Sequence, residues 1–358
     1  MKKTIKYGGR IIIALVAIAL LYVGGMIIYG TVTDYQPEET IQLSTWGTSD
    51  ETIATNNFTF VIWNIGYAGL GDKEDFFYDG GKGVRPEKEQ QEIYMHGIEN
   101  TIGEMAGTDF IMIQEIDTNS KRSYYGNQLH RIGANLPGYA YSYATNYQVD
   151  FVPMPLTGSP TSAYGKVQAG LGTFSKYAPA SATRYQYPGK FGWPKSVFML
   201  DRCMLVMRYP LASGKELLVI NTHNSAYDTD GTIKGAEMQY IKDFITKEYN
   251  NGNYVVIGGD WNQNPPNFTS NPFNAGKETY GQGIIEKDFM PEGWIFAYDA
   301  TVPTNRNLSA AYKAGETTVD VIDYFLISPN IELLDLKTMD MQFAYSDHQP
   351  VKIEVRLK

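Results

Sequence analysis

Cysteine is almost absent from this chain. Cys203 is the single cysteine in 358 residues, so no intramolecular disulfide braces the fold and stability must come from a buried core. Set in the apolar run Cys203-Met204-Leu205-Val206, its thiol reads as a small buried side chain. Histidine is scarce too, with four residues, and no Cys/His cluster of zinc type is present. A Gly-rich phosphate loop with its lysine is missing, as is a Gly-x-Ser-x-Gly nucleophile elbow, which argues against P-loop and serine-hydrolase chemistry. There is no basic run, internal repeat or low-complexity tract.

What is present begins with an apolar stretch. Lys2, Lys3, Lys6 and Arg10 precede an uncharged apolar run from Ile11 to Tyr29, long enough to span a bilayer as a helix. A signal peptide would share the basic start, but no small-x-small cleavage site follows, and the run is long for one. The expectation is a cytoplasmic tail 1–10, a retained transmembrane anchor 11–29, and the remainder outside the membrane, because basic residues precede the span and acidic ones follow it. Without those four basic residues, 26 Lys+Arg face 39 Asp+Glu, so the exported part carries a net charge near −13. Such a surface is poor at gathering a polyanion by long-range attraction.

Residues 30–57 are polar and aperiodic and read as a stalk. From residue 58 to 358 the pattern is one continuous α/β domain. Strands are expected at Phe58–Ile65, Phe110–Ile116, Tyr139–Ala144, Gly170–Ser175, Arg202–Arg208, Glu216–Thr222, Tyr254–Gly258, Val321–Ile327, Ile331–Met339 and Val351–Val355. Helices are expected at Pro86–Met105, Lys121–Leu136 and Lys234–Tyr249; in the last, Met238, Ile241, Phe244 and Ile245 share one face. Many strands and few helices suggest two stacked sheets with helices outside. Two long segments, 66–85 and 149–166, read as ordered loops facing a substrate, because the first carries Phe76, Phe77 and Tyr78 and the second Phe151.

The chemistry gathers where strands end. Tyr254-Val255-Val256-Ile257 is cut off by Gly258-Gly259, then Asp260-Trp261-Asn262 follows. In extended backbone, residues two apart point the same way, so Asp260 and Asn262 would project together. An Asx-turn is the plain alternative. Other strands end in matching groups: Trp63-Asn64, Gln114-Glu115, Asn221-Thr222-His223-Asn224 and Ser346-Asp347-His348 before the last strand. Asp323 lies inside the apolar run Val321–Ile327, where a charge is costly unless paired. His96 and His130 fall in expected helices and read as packing or surface residues. Together the set meets the needs of phosphoester cleavage: a hard cation on carboxylate and amide oxygens, a base for water, and donors for the developing charge.

These residues, in this order, resemble the endonuclease/exonuclease/phosphatase superfamily, which includes deoxyribonuclease I and neutral sphingomyelinases. The middle run Gly170-Leu171-Gly172-Thr173-Phe174-Ser175-Lys176-Tyr177 is similar too. The resemblance implies a four-layer α/β/β/α sandwich and an active site at one edge. It implies Mg²⁺, with Mn²⁺ as an alternative, bound by Glu115 with Asn64 and Asp347 close to the ion. Asp260 would orient or deprotonate the attacking water, and Asn262 would hold it and the phosphate. His348 would contact the phosphate with Asp323 fixing its ring, and His223 would be an acid for the leaving group. Asn224 departs from the leucine common after that histidine.

The expected function is a membrane-anchored, metal-dependent phosphodiesterase or phosphatase acting outside the cytoplasmic membrane. A lipid headgroup or small phosphoester suits the anchor, the acidic surface and the aromatic loops. Nucleic acid as substrate is the alternative, and a non-catalytic phosphate-ligand binding domain is a third reading.

Overall fold

Phe60-Val61-Ile62-Trp63, Ile111-Met112-Ile113, Leu218-Val219-Ile220 and Val255-Val256-Ile257 are apolar on both faces, the pattern of strands covered from both sides. They form the centre of the molecule. The computed structural model describes residues 2–49, 51–155, 163–226, 228, 230–270, 272–274 and 283–358. In chain order its elements are α1 (Lys2–Val32), β1 (Thr40–Gln42), β2 (Thr45–Trp46), β3 (Asn57–Asn64), α2 (Lys88–Glu104), β4 (Phe110–Asp117), α3 (Gln128–Ala134), β5 (Ala140–Val152) and β6 (Gly165–Ser175). There follow β7 (Ser181–Gln186), β8 (Cys203–Pro210), β9 (Glu216–His223), α4 (Thr232–Asn250), β10 (Tyr254–Asp260), β11 (Ile295–Ala297), β12 (Asn305–Arg306), β13 (Val319–Asp320), β14 (Asp323–Ile327), β15 (Ile331–Thr338) and β16 (Val351–Leu357).

Two seven-stranded sheets result, ordered β1-β7-β8-β9-β10-β14-β11 and β15-β16-β3-β4-β6-β5-β2. Strict alternation along each central strand builds three apolar layers. Phe60, Ile62, Met112, Val219 and Val256 meet between the sheets. Val61, Trp63 and Ile111 pack outward against Ile98 of α2 and Ile132 of α3. Leu218, Ile220 and Val255 pack outward against Ile241 and Ile245 of α4. The expected four-layer α/β/β/α sandwich is therefore what forms. Cys203 is fully buried between the sheets, and His96 and His130 are on the surface.

Each sheet contains one parallel pair joined through a helix, β3-α2-β4 and β9-α4-β10. A parallel pair brings two carboxyl ends to the same edge, and this places the site. In one sheet Asp260 lies opposite His223 on β9 and opposite Asp323 on β14. In the other, Asn64 lies opposite Gln114, next to Glu115.

Several expectations differ from the structure. Within the segment expected to be a stalk, β1 pairs with β7 and β2 with β5, one strand on each sheet. The 149–166 segment is not simply a loop: Val149–Val152 extends β5 and Gly165 opens β6, while residues 156–162 lie outside the described part. The helix expected at Lys121–Leu136 is split, because Tyr124 and Tyr125 are left-handed (φ 55° and 62°) after a short 3₁₀ turn at Lys121–Ser123. Segment 66–85 is ordered: Arg306 donates from Nη2 to the carbonyls of Leu70, Gly71 and Glu74 at 3.1, 2.7 and 3.0 Å. The N-terminal helix contains an apolar segment, Gly9–Val32, long enough to cross a membrane and with none of its apolar stretch buried against the protein.

Gly259 has φ +146°, and a Cβ there would run into the Thr222 carbonyl of β9. Gly259→Ala is therefore expected to lower unfolding free energy by about 3 kcal/mol. Urea unfolding monitored by tryptophan fluorescence checks this; a loss below about 1 kcal/mol would remove the steric account.

Candidate active site

The strand ends meet over a cavity of about 290 Å³. Glu115, His223, Asp260, Asn262, Asp347 and His348 all line it. Glu115 reaches it through a bulge in β4 between Ile113 and Ile116, with a left-handed φ of 57°. Trp63 and Trp261 brace the two edges in the same way. Trp63 Nε1 donates to His348 O at 3.0 Å, and Trp261 Nε1 donates to Tyr324 O at 2.9 Å.

Asp260 is the hub. Its Oδ2 accepts from Asn64 Nδ2 at 3.0 Å and lies 3.3 Å from His223 Nε2 and 3.7 Å from His348 Nε2. Its Oδ1 accepts from the Asn262 backbone N–H at 2.9 Å. Asp260 therefore heads an Asx-type turn, as the plain alternative had it, and its Oδ2 also faces the cavity. Asn262, with φ 49°, has left the strand, and its Nδ2 donates to Asn224 O at 3.0 Å. Its own carbonyl accepts from Lys234 Nζ at 3.0 Å.

Asn64 Nδ2 also lies 3.3 Å from Glu115 Oε1, while its Oδ1 accepts from Gly66 N–H at 3.0 Å. In this arrangement its amide nitrogen, rather than its oxygen, faces the acids. Asp347 lies 3.8 Å from His348 Nε2, with Ser346 Oγ donating to Asn64 O at 2.8 Å behind it.

Asp323 does not line the cavity. It sits behind His348, with Oδ2 2.8 Å from Nδ1. Burial opposes charge on His348, but Asp323, Asp347 and Asp260 outweigh it and lift the imidazole well above its ordinary value. Burial pushes Asp323 up to about 6, still below His348, so near pH 7 the shared proton rests on the ring. Burial drives His223 the other way, and the charges of Arg202, His348 and Arg122 push it further down, so it is neutral near pH 7. Burial pushes Asp347 up to about 7, although His348 opposes that.

The donor set suits a divalent cation. Three carboxylates, Glu115, Asp260 and Asp347, share the cavity with one charged imidazole. Asp347 is raised chiefly by burial and in part by Glu115, which a cation between the two carboxylates would offset. Oxygen and nitrogen atoms of Asp260, Asp323 and His348 also lie within 4.8 Å of one another. His348 Nδ1 is already committed to Asp323, so that grouping reads as a charged pair beside the acids.

Some residues at the site had no sequence signal. Asn305 Nδ2 lies 3.0 Å from His348 Nε2. Arg122 is buried on Asp117 at 2.9 Å and stacks over Tyr67 at 3.7 Å. Segment 66–85, by contrast, is marked in the sequence by its aromatics, and its Tyr67, Leu70, Phe76 and Tyr78 form an aromatic and apolar wall.

Residues 62–348 match the Endonuclease/Exonuclease/phosphatase family. The chain belongs to this family. Its members are usually phosphoester hydrolases. No curated protein matches the sequence. Among solved structures, an endonuclease/exonuclease/phosphatase from Beutenbergia cavernae is similar at 14% identity and TM-score 0.55, covering 84% of this chain and 72% of its own. ANGEL2, a 2′,3′-cyclic phosphatase solved with adenosine-2′,3′-vanadate, is similar at 15% identity and TM-score 0.54, covering 88% and 99%. A family member from Bacteroides vulgatus is similar at 16% identity and TM-score 0.52, covering 84% and 99%. At such identities the likeness shows the fold.

The raised Asp347 carries a stability signature. A carboxyl whose folded value lies above its unfolded one stabilises the protein when protonated and loses that contribution as pH rises through about 7. His348, raised also, acts with the same sign above about 6.5. For Asp347 the loss runs from about pH 4, where the unfolded carboxyl gives up its proton, to about 7, so in the metal-free protein the melting temperature of Asp347→Asn should climb relative to that of the wild type across that window. Scanning calorimetry in EDTA checks this; equal slopes for both proteins would refute the assignment.

Proposed function

We propose that this chain is a Mg²⁺-dependent phosphoester hydrolase, either phosphodiesterase or phosphatase, anchored by α1 and acting outside the cytoplasmic membrane. The observation that carries the reading is the convergence of Glu115, Asp260 and Asp347 with His348 and His223 on one cavity. Glu115 and Asp347, with Asn64 beside them, would hold the cation, which when bound neutralises phosphate oxygens. Mn²⁺ suits the same oxygen donors.

Asp260 accepts a proton from the attacking water, and the Asn262 backbone N–H holds that carboxylate in place. His348, kept charged by Asp323, donates from Nε2 to a phosphate oxygen. His223 starts neutral. A phosphate anion beside it offsets the nearby cationic charge and raises its proton affinity, so that it takes up a proton from solvent as the substrate binds and gives that proton to the leaving-group oxygen.

The acidic surface and the aromatic wall favour a lipid headgroup or small phosphoester over a nucleic acid polyanion. The positive-inside pattern at Lys2, Lys3, Lys6 and Arg10 supports the outward orientation of the domain.

Bis-p-nitrophenyl phosphate should be hydrolysed with Mg²⁺ and not with EDTA. His348→Ala and Asp260→Asn should each lower kcat/KM by about 10²-fold or more. Absence of metal-dependent turnover on this ester and on sphingomyelin, phosphoinositides and nucleotides would leave a binding domain, and a clear preference for DNA would replace the substrate class. Separately, the protein should remain in the membrane pellet at high salt with Ile11–Tyr29 intact. A soluble product beginning beyond Tyr29 would establish a cleaved signal instead.

A further inference from the structure

The cavity contains a second group of donors that the chemistry above does not use. Arg202 stands just before β8 and lines the cavity with His223 and Asp260, yet it is only 9% exposed. Its Nη1 is buried without a hydrogen-bond partner, and it forms no ion pair with a carboxylate among the described residues. A buried guanidinium in that condition is costly. The other buried arginines each have carboxylate or carbonyl acceptors for part of the guanidinium, although Arg184 Nη1 is also without a partner. Arg122 has Asp117, Arg184 has the Thr145 and Asp201 carbonyls, and Arg306 has three carbonyls of segment 66–85.

Asn146 of β5 stands beside it. Its backbone carbonyl accepts from the Asp201 N–H at 2.9 Å, which ties β5 to the residue before Arg202. Asn146 also lines the cavity, is buried, and has an Nδ2 with no partner. Two neighbouring buried donors lacking an acceptor, on the wall of one cavity, match a ligand that only accepts. A guanidinium fork beside an amide suits the tetrahedral oxygens of a phosphate. The scissile phosphate already has His348 and the acid cluster with its cation. The charge of Arg202 acts on His223, the residue proposed above for the leaving group.

We propose that Arg202 and Asn146 form an anion subsite for a second phosphate, so that the substrate is a phosphoester carrying one phosphate besides the scissile one. Phe76, Tyr78, Phe191 and Leu200 cover the body of such a molecule. The substrate half of this inference rests on the hydrolase reading; the binding half does not.

The test uses the full chain in detergent and has two arms. In EDTA, inorganic phosphate is titrated by calorimetry into the wild-type protein, Arg202→Gln, Arg202→Lys and Asn146→Ala. Arg202→Gln should weaken binding at least about 10-fold, and the other two by about 3-fold each. Unchanged affinity in Arg202→Gln overturns the subsite. Thermal midpoints report folding; if the glutamine variant is unfolded, the lysine variant decides, and unchanged affinity there overturns it equally. With Mg²⁺, kcat/KM is compared for thymidine 5′-(p-nitrophenyl phosphate) and its 3′-phosphorylated form. Arg202→Gln should lose about 30-fold on the doubly phosphorylated ester and under about 3-fold on the other. Equal losses place Arg202 on the scissile phosphate and overturn the proposal. Phosphate binding that depends on Arg202, with neither ester cleaved, supports the subsite and sinks the hydrolase reading. Cleavage of both esters indifferent to Arg202 does the reverse.

Discussion

Two sheets can present chemistry jointly only if something fixes one against the other at the site. Here it is a buried amide clasp. Gln114 Nε2 donates to Asn221 Oδ1 at 2.7 Å, and Asn221 Nδ2 donates back to the Ile113 and Gly172 carbonyls at 3.1 and 3.0 Å. Both side chains are fully buried, so misalignment would leave amides without partners in a dry interior. Glu115 follows Gln114 directly, and His223 comes two residues after Asn221. The bonds that lock the sandwich therefore also set the distance between acid and imidazole, 4.0 Å from Glu115 Oε1 to His223 Nε2.

Charge placement follows from that alignment. The two histidines share one cavity and differ in protonation because their neighbours differ. His348 has Asp323 behind its ring, whereas the nearby charges that act on His223 include Arg202 and Arg122. The site thus obtains one cationic and one neutral imidazole from a single residue type, by what stands beside each.

Much of this was readable in the sequence because it rests on strand-end residues of a strongly periodic kind. Apolar runs identified the central strands; the polar residues closing them pointed to Asn64, Glu115, His223 and Asp260, those before the last strand to Asp347 and His348, and a charge inside an apolar run to Asp323. The parts that escaped have physical reasons. Ser181–Gln186 has no apolar run, because buried Thr183 and Arg184 satisfy themselves with Gln42, Gln186 and backbone carbonyls. β1 and β2 are too short to show a period. Asn305, Arg202 and Asn146 carry no local pattern, since an isolated amide or arginine near a strand looks like any surface residue. Strand geometry would aim Asp260 and Asn262 the same way, but the left-handed Asn262 turns away, and its backbone rather than its side chain serves the carboxylate.

The segment after α1 is short and tied down. From Val32 to Thr40 the chain reaches at most about 28 Å. Even that slack is taken up: Trp193 Nε1 donates to Thr31 Oγ1 at 3.1 Å, and Gly30 packs against Phe198. Segment 191–200 therefore touches the helix end and also supplies Phe191, Met199 and Leu200 to the cavity wall. With α1 in a bilayer, the domain would be a post rather than a leash, its cavity held at one height above the membrane.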